Sequence, residues 1–540
     1  MEKTRKLIGK YLYYIILILS IPAVRYLFVN GYFGVSDDLH IGWLFEMDRA
    51  IRMFQIPPRY IPDLSYGFGY PLFSFVYPLP FYIAEIFHLV GFSLVNSVKL
   101  VFGLSLPFSM LFMYKLLRLY MKEDFSLAGA VLYVYAPYRA LELFVRGTIG
   151  EIVAFVFFPL IIYSVVKKKP YVLALAFAGL ILSHNIMAYM FIPFLLMFTI
   201  LNRSFLVSLK GLLLGLLFSS YFWVTAIYES SLMKYDTVFN FYDHYPALKQ
   251  FITPYWGYGA SVPGNYDTMS FYMGAVNIIV IVLGSILFLF NRKKLSSAEK
   301  IIVGWAVVIC LLSVFMMNFR SAWFWRNLPL IPYFQFPWRF LAMITLMSPL
   351  FLLVFSKLKQ LKYLPFVIII AAIGLNFNYF KTSEYLGRDD SYYINRYIPV
   401  PVASEEYLKT SEEYLRLPKE TEIRPDKLYP RAYTDDLTVT LQIEEKNALD
   451  SKITTESKNE FKLNYNKYYY PGFVAKIDGN KIKIIAGKPF GQISFTVPSG
   501  KHVIIVEYKE SPMRLFFDIV SLVAIGVSVI IICKKQYQQS

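Results

Sequence analysis

Residues 71–91 read PLFSFVYPLPFYIAEIFHLVG. Whether this run crosses a membrane decides the side on which every later loop lies. The chain around it has 540 residues, 56% of them hydrophobic and 18% aromatic. Its mean hydropathy is +0.47. Apolar runs of about 15 to 20 residues recur along it, near the length that crosses a ~30 Å hydrocarbon core. The fold class read from this is a polytopic α-helical membrane protein.

Basic residues set the orientation, because they gather on cytoplasmic loops. Lys3, Arg5, Lys6 and Lys10 precede the first apolar run (about 11–29) and place the N-terminus in the cytoplasm. No small-residue cleavage site follows, so the run reads as an uncleaved first helix rather than a signal peptide. Residues 30–70 then face outward. If 71–91 spanned, the next helix would deposit Lys115, Arg118 and Lys122 outside. Read as a juxtamembrane or re-entrant helix, it leaves every later basic cluster inside. Pro71, Pro78 and Pro80 interrupt a straight span, and Glu85 and His88 are costly in lipid.

The remaining spans then alternate, near 95–117, 125–143, 152–166, 171–184, 186–201, 205–228, 271–290, 300–317, 338–356, 363–380 and 515–533. With the first helix they make roughly twelve transmembrane helices. The expected domains are a transmembrane domain over 1–380, whose first outer loop covers 30–94, an extracytoplasmic mainly-β domain over 381–514, and a final helix with a cytoplasmic tail over 515–540. The β reading rests on period-two alternation in PGFVAKI, KIKII, QISFTV and HVIIVEY, with turn signals at Asp478-Gly479-Asn480 and Ser499-Gly500. Residues 381–436 read as long loops.

The net charge of +17 belongs to membrane edges rather than to nucleic-acid binding. No glycine-rich nucleotide loop is present. Cys310 and Cys533 both lie in apolar runs, which excludes a disulfide framework and a cysteine metal site. No internal repeat is visible, which counts against an inverted-repeat transporter.

Polar residues gather on the outer side. The first outer loop carries Asp37, Asp38, His40, Glu46, Asp48 and Arg49. RGTIGE supplies Arg146 and Glu151, and His184 and Asn185 sit between two short helices. Glu229, Asp236, Asp243 and His244 follow in 229–270, and FQFPWRF carries Trp338 and Arg339. Each has a plainer reading. Ser36 to Asp38 suit the N-cap of a helix over 38–54, whose Leu39, Trp43, Met47, Ile51 and Phe54 form one stripe. Arg146 and Glu151 suit a mutual ion pair, Arg339 an interfacial anchor beside Trp338, and His184-Asn185 a helix stitch. His88, His502 and Cys310 read as packing residues.

The chemical reading is sharper. A carboxylate at the outer membrane edge suits a general base acting on an incoming hydroxyl. Fixed arginines beside it suit a phosphate. Together they suit transfer of a sugar from a lipid phosphate to a hydroxyl, with electrostatic stabilisation of the departing phosphate.

Asp37-Asp38-Leu39-His40-Ile41-Gly42 resembles the Asp-Glu-x-His-Phe-Gly motif in the first outer loop of protein O-mannosyltransferases, members of the GT-C superfamily of integral membrane glycosyltransferases. The whole chain is similar to the bacterial YfhO-like GT-C group, through Tyr66-Gly67-Phe68-Gly69-Tyr70-Pro71, APYRALELFVRGTIGE, LSHN, FQFPWRF, YYPGFVAKIDG and VPSGKHVIIVEY. The resemblance covers most of the chain and implies a GT-C-like fold in the cytoplasmic membrane, with the active site extracytoplasmic. It implies a polyprenyl-phosphate-linked sugar donor, a glycan, lipid or protein acceptor in the cell envelope, and an inverting hexosyl- or pentosyltransferase. It makes the first acidic residue, Asp37, the base. Asp38 stands where the mannosyltransferases have Glu, which leaves open which aspartate takes the proton. No cofactor is expected, although paired carboxylates have the donor set for a divalent cation. Arg146 and Arg339 are expected to bind donor phosphate, and His40, Glu151, His184 and Asn185 to line the site. The rival readings are a transporter or flippase of lipid-linked glycans and a non-catalytic glycan-binding membrane protein.

Overall fold

Proline and short polar breaks cut the apolar runs into helices of very unequal length. In this computed structural model, which describes residues 2–234, 240–264, 266–398 and 417–537, six helices are long and apolar enough to cross a membrane. They are Leu94–Leu117, Ile149–Val166, Ala275–Lys294, Ser297–Met316, Pro337–Phe355 and Pro512–Lys534. The number rises to eight if each of two bent helix pairs counts as one span. Glu2–Lys10 and Leu12–Phe28 form one such pair, bent by 86°. Several expected spans are shorter: Pro170–Ser183, Asn185–Leu201 and Leu364–Asn376 have 10–17 residues, and 123–134 ends before Pro137. Residues 71–91 form Leu72–Phe75 and Leu79–Leu89. An 11-residue helix falls short of the ~20 residues a span needs.

The chain divides into two units. The first comprises Met1–Asp38, Tyr82–Phe218 and Val238–Arg388 and holds five of the six long helices. Its helix starts follow from local chemistry. Ser93 accepts the Asn96 N–H at 3.2 Å, and Ser296 and Glu299 close a reciprocal capping box. A two-stranded ribbon pairs β1 (Tyr32–Phe33) with β2 (Tyr385–Arg388).

The second unit comprises Leu39–Phe81, Ser219–Thr237 and Asp389–Ser540. Its strands are β3 (Ala432–Tyr433), β4 (Thr440–Glu445), β5 (Ser451–Ser457), β6 (Phe461–Tyr468), β7 (Phe473–Ile477), β8 (Asn480–Ile482), β9 (Ile485–Ala486), β10 (Gln492–Val497) and β11 (Gly500–Tyr508). They make two antiparallel sheets, in orders β3-β6-β10-β9 and β4-β5-β11-β7-β8. The Asp478-Gly479 signal is a two-residue hairpin turn, with Ile477 opposite Asn480. Both of its residues have positive φ, +51° and +85°, as a type I′ turn demands. β4, β5 and β6 lie where alternation is interrupted by charge, and the sequence reading did not resolve them.

Ion pairs tie distant segments of this unit together. Glu229, on the helix Ser220–Ser230, accepts from Arg514 Nε at 2.6 Å, Arg514 Nη2 at 2.9 Å and the Tyr470 hydroxyl at 2.8 Å. Arg59 reaches Asp518 at 2.5 Å and Glu510 at 3.3 Å. Lys467 is buried and donates to the carbonyls of Pro62 and Gly67, both at 2.7 Å. Burial drives its pKa well down, with Arg431 adding to the effect. Burial likewise drives the Glu46 carboxyl well up, helped by Asp63.

Removing one partner of a fully buried ion pair strands the other charge, at a cost of about 3–5 kcal/mol. Glu229→Ala is therefore expected to lower the melting temperature of the purified protein sharply. An Arg514→Met, Glu229→Leu double variant is expected to recover part of the loss. Unchanged melting of the single variant contradicts this account.

Candidate active site

The site is built within the first unit from four stretches far apart in sequence. After β1 the chain runs beside residues 145–146. The Ser36 N–H donates to the Val145 carbonyl at 3.1 Å, and the Asp37 N–H to the Arg146 carbonyl at 2.8 Å. Such contact demands a glycine at position 147. Gly147 has φ of +73°, and an added Cβ would lie 2.6 Å from Val35 Cγ2. The helix that follows, Ile149–Val166, carries Glu151 in its first turn, where free N–H groups favour a carboxylate.

Glu151 is fully buried and its Oε1 is the hub. Arg146 Nη1 lies 3.0 Å from it, Arg339 Nε 3.1 Å, Arg339 Nη2 3.1 Å and His184 Nε2 3.8 Å. The other oxygen accepts from the Tyr138 hydroxyl at 3.3 Å. Arg146 is shared with Glu142, at 2.9 and 2.7 Å. Glu142 and Arg146 begin and end a wide π-type turn, a local irregularity frequent at functional sites. Thr148 Oγ1 also donates to Glu142.

The two arginines differ in what they leave open. Arg339 is 3% exposed, and its Nη1 donates to the Phe334 carbonyl at 2.7 Å and to Gln335 Oε1 at 3.0 Å. With Nε and Nη2 on Glu151, all three of its nitrogens are engaged. Arg146 keeps 13% of its side chain exposed. Only its Nη1 is hydrogen-bonded among the described residues, so Nε and Nη2 remain open donors. Its guanidinium lies 4.8 Å over the Trp338 ring. Trp338 in turn stacks on Phe336 at 4.9 Å and 10°.

Asp37 is half-buried at the edge of this cluster. Burial raises its pKa, Arg146 and Arg339 pull it back, and Glu151 adds to the rise. Around Arg146, burial opposes the charge, but Glu142 and Glu151 outweigh it and hold the guanidinium firmly protonated. His184 caps the helix Asn185–Leu201 by accepting the Met187 N–H on Nδ1 at 3.2 Å, so its Nε2 faces Glu151.

The structure thus brings Asp37, Arg146, Glu151, His184 and Arg339 together. Asn185 is exposed and accepts the Ile186 N–H at 3.1 Å. Asp38 is buried in the adjoining turn. His40 begins the helix His40–Arg52 of the second unit, packed edge-on against Trp43 and Phe81. That helix has Leu39 at its N-cap position, not the expected Ser36 to Asp38. Asp48 pairs with Arg52 at 2.7 Å and Arg49 with Asp63 at 3.0 Å. Asp236 lies outside the described residues.

Among the described residues no group of three or more His, Cys, Asp or Glu side chains is arranged to hold a metal ion. Glu142, Tyr138 and Gln335 are site residues that the sequence reading missed. The four-residue spacing of Glu142 and Arg146 was the available signal for the first. His244, in the 229–270 loop, packs edge-on to Phe336 at 4.9 Å and bonds Ser261 at 2.9 Å. Burial lowers its pKa against the pull of Asp243 and Asp267.

No family model matches this chain. Over 213 residues it is 24% identical to an uncharacterized protein of Lactococcus lactis subsp. cremoris (strain MG1363), a match covering 37% of this chain and 34% of that protein. The chain therefore spans about a third of the length of the curated relative it matches. Among solved structures it is similar to the cryo-EM structure of the arabinofuranosyltransferase AftD from Mycobacteria, with a TM-score of 0.43 and 12% identity. That likeness covers 69% of this chain and 27% of the other.

Two outcomes check the geometry. Gly147→Ala puts a Cβ into Val35 and strains a left-handed backbone, by about 1–2 kcal/mol for the backbone alone; a lower melting temperature is expected. Glu151→Gln removes the charge that two arginines share and is expected to cost more than Gly147→Ala. The reverse ranking in thermal unfolding contradicts the assignment of Glu151 as the hub.

Proposed function

We propose that this protein is an inverting membrane glycosyltransferase of GT-C type. It transfers a hexosyl or pentosyl group from a polyprenyl-phosphate donor to a hydroxyl of a glycan, lipid or protein acceptor in the cell envelope. The observation that carries the reading is the backbone contact that sets a half-buried carboxylate, Asp37, beside an arginine, Arg146, whose Nε and Nη2 are unclaimed among the described residues. The motif resemblance around Asp37 and the order of the later motifs support it. The basic edges of the chain support an active site on the extracytoplasmic face of the cytoplasmic membrane.

In this reading Arg146 binds the donor phosphate through its two open donors. Arg339 contributes charge at short range and holds Glu151, rather than gripping phosphate itself. Asp37 accepts the proton of the acceptor hydroxyl. The hydroxyl oxygen forms a bond to the anomeric carbon as the bond from that carbon to the phosphate oxygen breaks. The electron pair leaves with polyprenyl phosphate, whose added negative charge Arg146 stabilises. A single displacement inverts the anomeric centre. Asp38 supports Asp37 from the same turn, and the Trp338 and Phe336 rings offer an apolar face suited to a sugar.

The test is incubation of the purified protein with a panel of polyprenyl-phosphate sugars, reading donor hydrolysis and transfer. Asp37→Asn is expected to abolish turnover while leaving melting unchanged; full activity of that variant overturns the assignment. Tight donor binding with no turnover under any acceptor favours a flippase instead.

The pH profile gives an independent check. The base must be deprotonated to act, so activity falls as pH drops through the Asp37 pKa. Because burial raises that pKa, the acidic limb is expected above the range of an ordinary aspartate. Arg146 lowers it, so Arg146→Gln is expected to move the limb to still higher pH, alongside a loss of activity. A limb that stays put separates Asp37 from the reaction.

A further inference from the structure

A cleft of about 460 Å³ opens elsewhere in the first unit, between the helices Asn185–Leu201, Ala275–Asn291 and Ser297–Met316. Its walls are almost wholly apolar. Trp305 forms the floor, buried and fixed by a hydrogen bond from its Nε1 to the Phe194 carbonyl at 2.9 Å and by Phe198 at 4.5 Å. Leu201, Leu289 and Val308 form the rim and stay 43%, 64% and 42% exposed. Gly304 leaves one wall shallow, with only Phe288 Cζ, at 3.8 Å, near the place of a Cβ.

One end of this cleft is cationic. Arg292 and Lys300 both line it, and both flank the turn that joins two of the candidate spans. Both are exposed, and neither has an ion-pair partner among the described residues. The nearest carboxylate in sequence, Glu299, is committed elsewhere. It pairs with Lys357 at 2.5 Å and accepts the Ser296 N–H at 2.8 Å. Arg292 instead rests over the Phe288 ring at 5.0 Å.

We propose that this cleft is a binding site for an anionic phospholipid. An acyl chain fills the apolar trough over Trp305, and the phosphate sits between Arg292 and Lys300. The volume falls within the ~300–1,000 Å³ of pockets that enclose a small ligand. Charge complementarity chooses the occupant. A membrane edge carries lipid head groups, and uncompensated cations between spanning helices select the anionic ones. A zwitterionic lipid fills the same trough but brings its own cation to the two already there. The site does not depend on the proposed reaction, because it shares no residue with the Glu151 cluster.

The experiment uses the full-length protein, purified and exchanged into detergent with defined lipids. Retained lipid is read by native mass spectrometry, and stabilisation by thermal unfolding. Phosphatidylglycerol is expected to be retained over phosphatidylcholine and to raise the melting temperature. Arg292→Gln with Lys300→Gln is expected to erase that preference, by roughly thirtyfold from two cations near a membrane surface. Gly304→Leu leaves the charges and fills the trough, and is expected to reduce retention of both lipids. Equal retention of the two lipids by the unaltered protein, or an unchanged preference in the double variant, overturns the proposal. Displacement of phosphatidylglycerol by polyprenyl phosphate also overturns it, since the occupant is then an isoprenoid.

Discussion

One buried oxygen organises the candidate site. Oε1 of Glu151 is shared by Arg146 and Arg339 and faced by His184. Taking these charges out of water is costly, and the cost is met only where every group is closely matched. That requirement fixes the helix start at residue 149, the turn at 334–339 and the gap between the two short helices at 184. None of the three can shift without exposing a charge to an apolar surround. The arrangement is held by side chains rather than by a sheet.

The same constraint explains why the two arginines are not equivalent. Arg339 is enclosed by Glu151, the Phe334 carbonyl and Gln335, so its geometry is set before any ligand arrives. Arg146 is held through one nitrogen only among the described residues and keeps 13% of its side chain exposed. Preorganised donors cost nothing to reorient when charge develops. The π-type turn matters here, because it sets Glu142 and Arg146 on one face and delivers the Arg146 carbonyl to Asp37.

The legibility of these features in the sequence follows from physical range. Charged residues at the ends of apolar runs stand out, which is why Asp37, Arg146, Glu151, His184 and Arg339 were visible as candidates. Glu142 was hidden because it lies in a run counted as membrane-spanning, where a carboxylate is invisible without its partner. His40 enters through the motif resemblance and Asn185 through its place beside His184, and neither signal fixes where a side chain goes. His40 opens a helix of the other unit and Asn185 turns to solvent. The strands of 473–508 were readable from period-two alternation and an Asp-Gly turn. Their grouping with 39–81 and 219–237 was not, because the ion pairs responsible join residues hundreds of positions apart. One helix length was overread for a local reason: Pro137 follows the end of the helix at 134, inside the run 125–143 that hydropathy alone treats as continuous.

Charge balance links the site to the reaction proposed for it. Asp37, Glu142 and Glu151 set three carboxylates against two guanidinium groups, with His184 placed so that its neutral form serves as a helix cap. A sugar phosphodiester leaving as a phosphomonoester gains negative charge at the moment the acceptor loses its proton. If Asp37 takes that proton, the cluster loses one negative charge as the phosphate becomes more anionic. The total charge in a low-dielectric site then stays constant through the step, which avoids the electrostatic cost of building charge away from water. A base placed farther from the arginines would accept the proton as readily but would leave the new phosphate charge facing an unrelieved carboxylate. In the proposed reaction the placement of Asp37 beside Arg146 would serve both halves of the transfer at once.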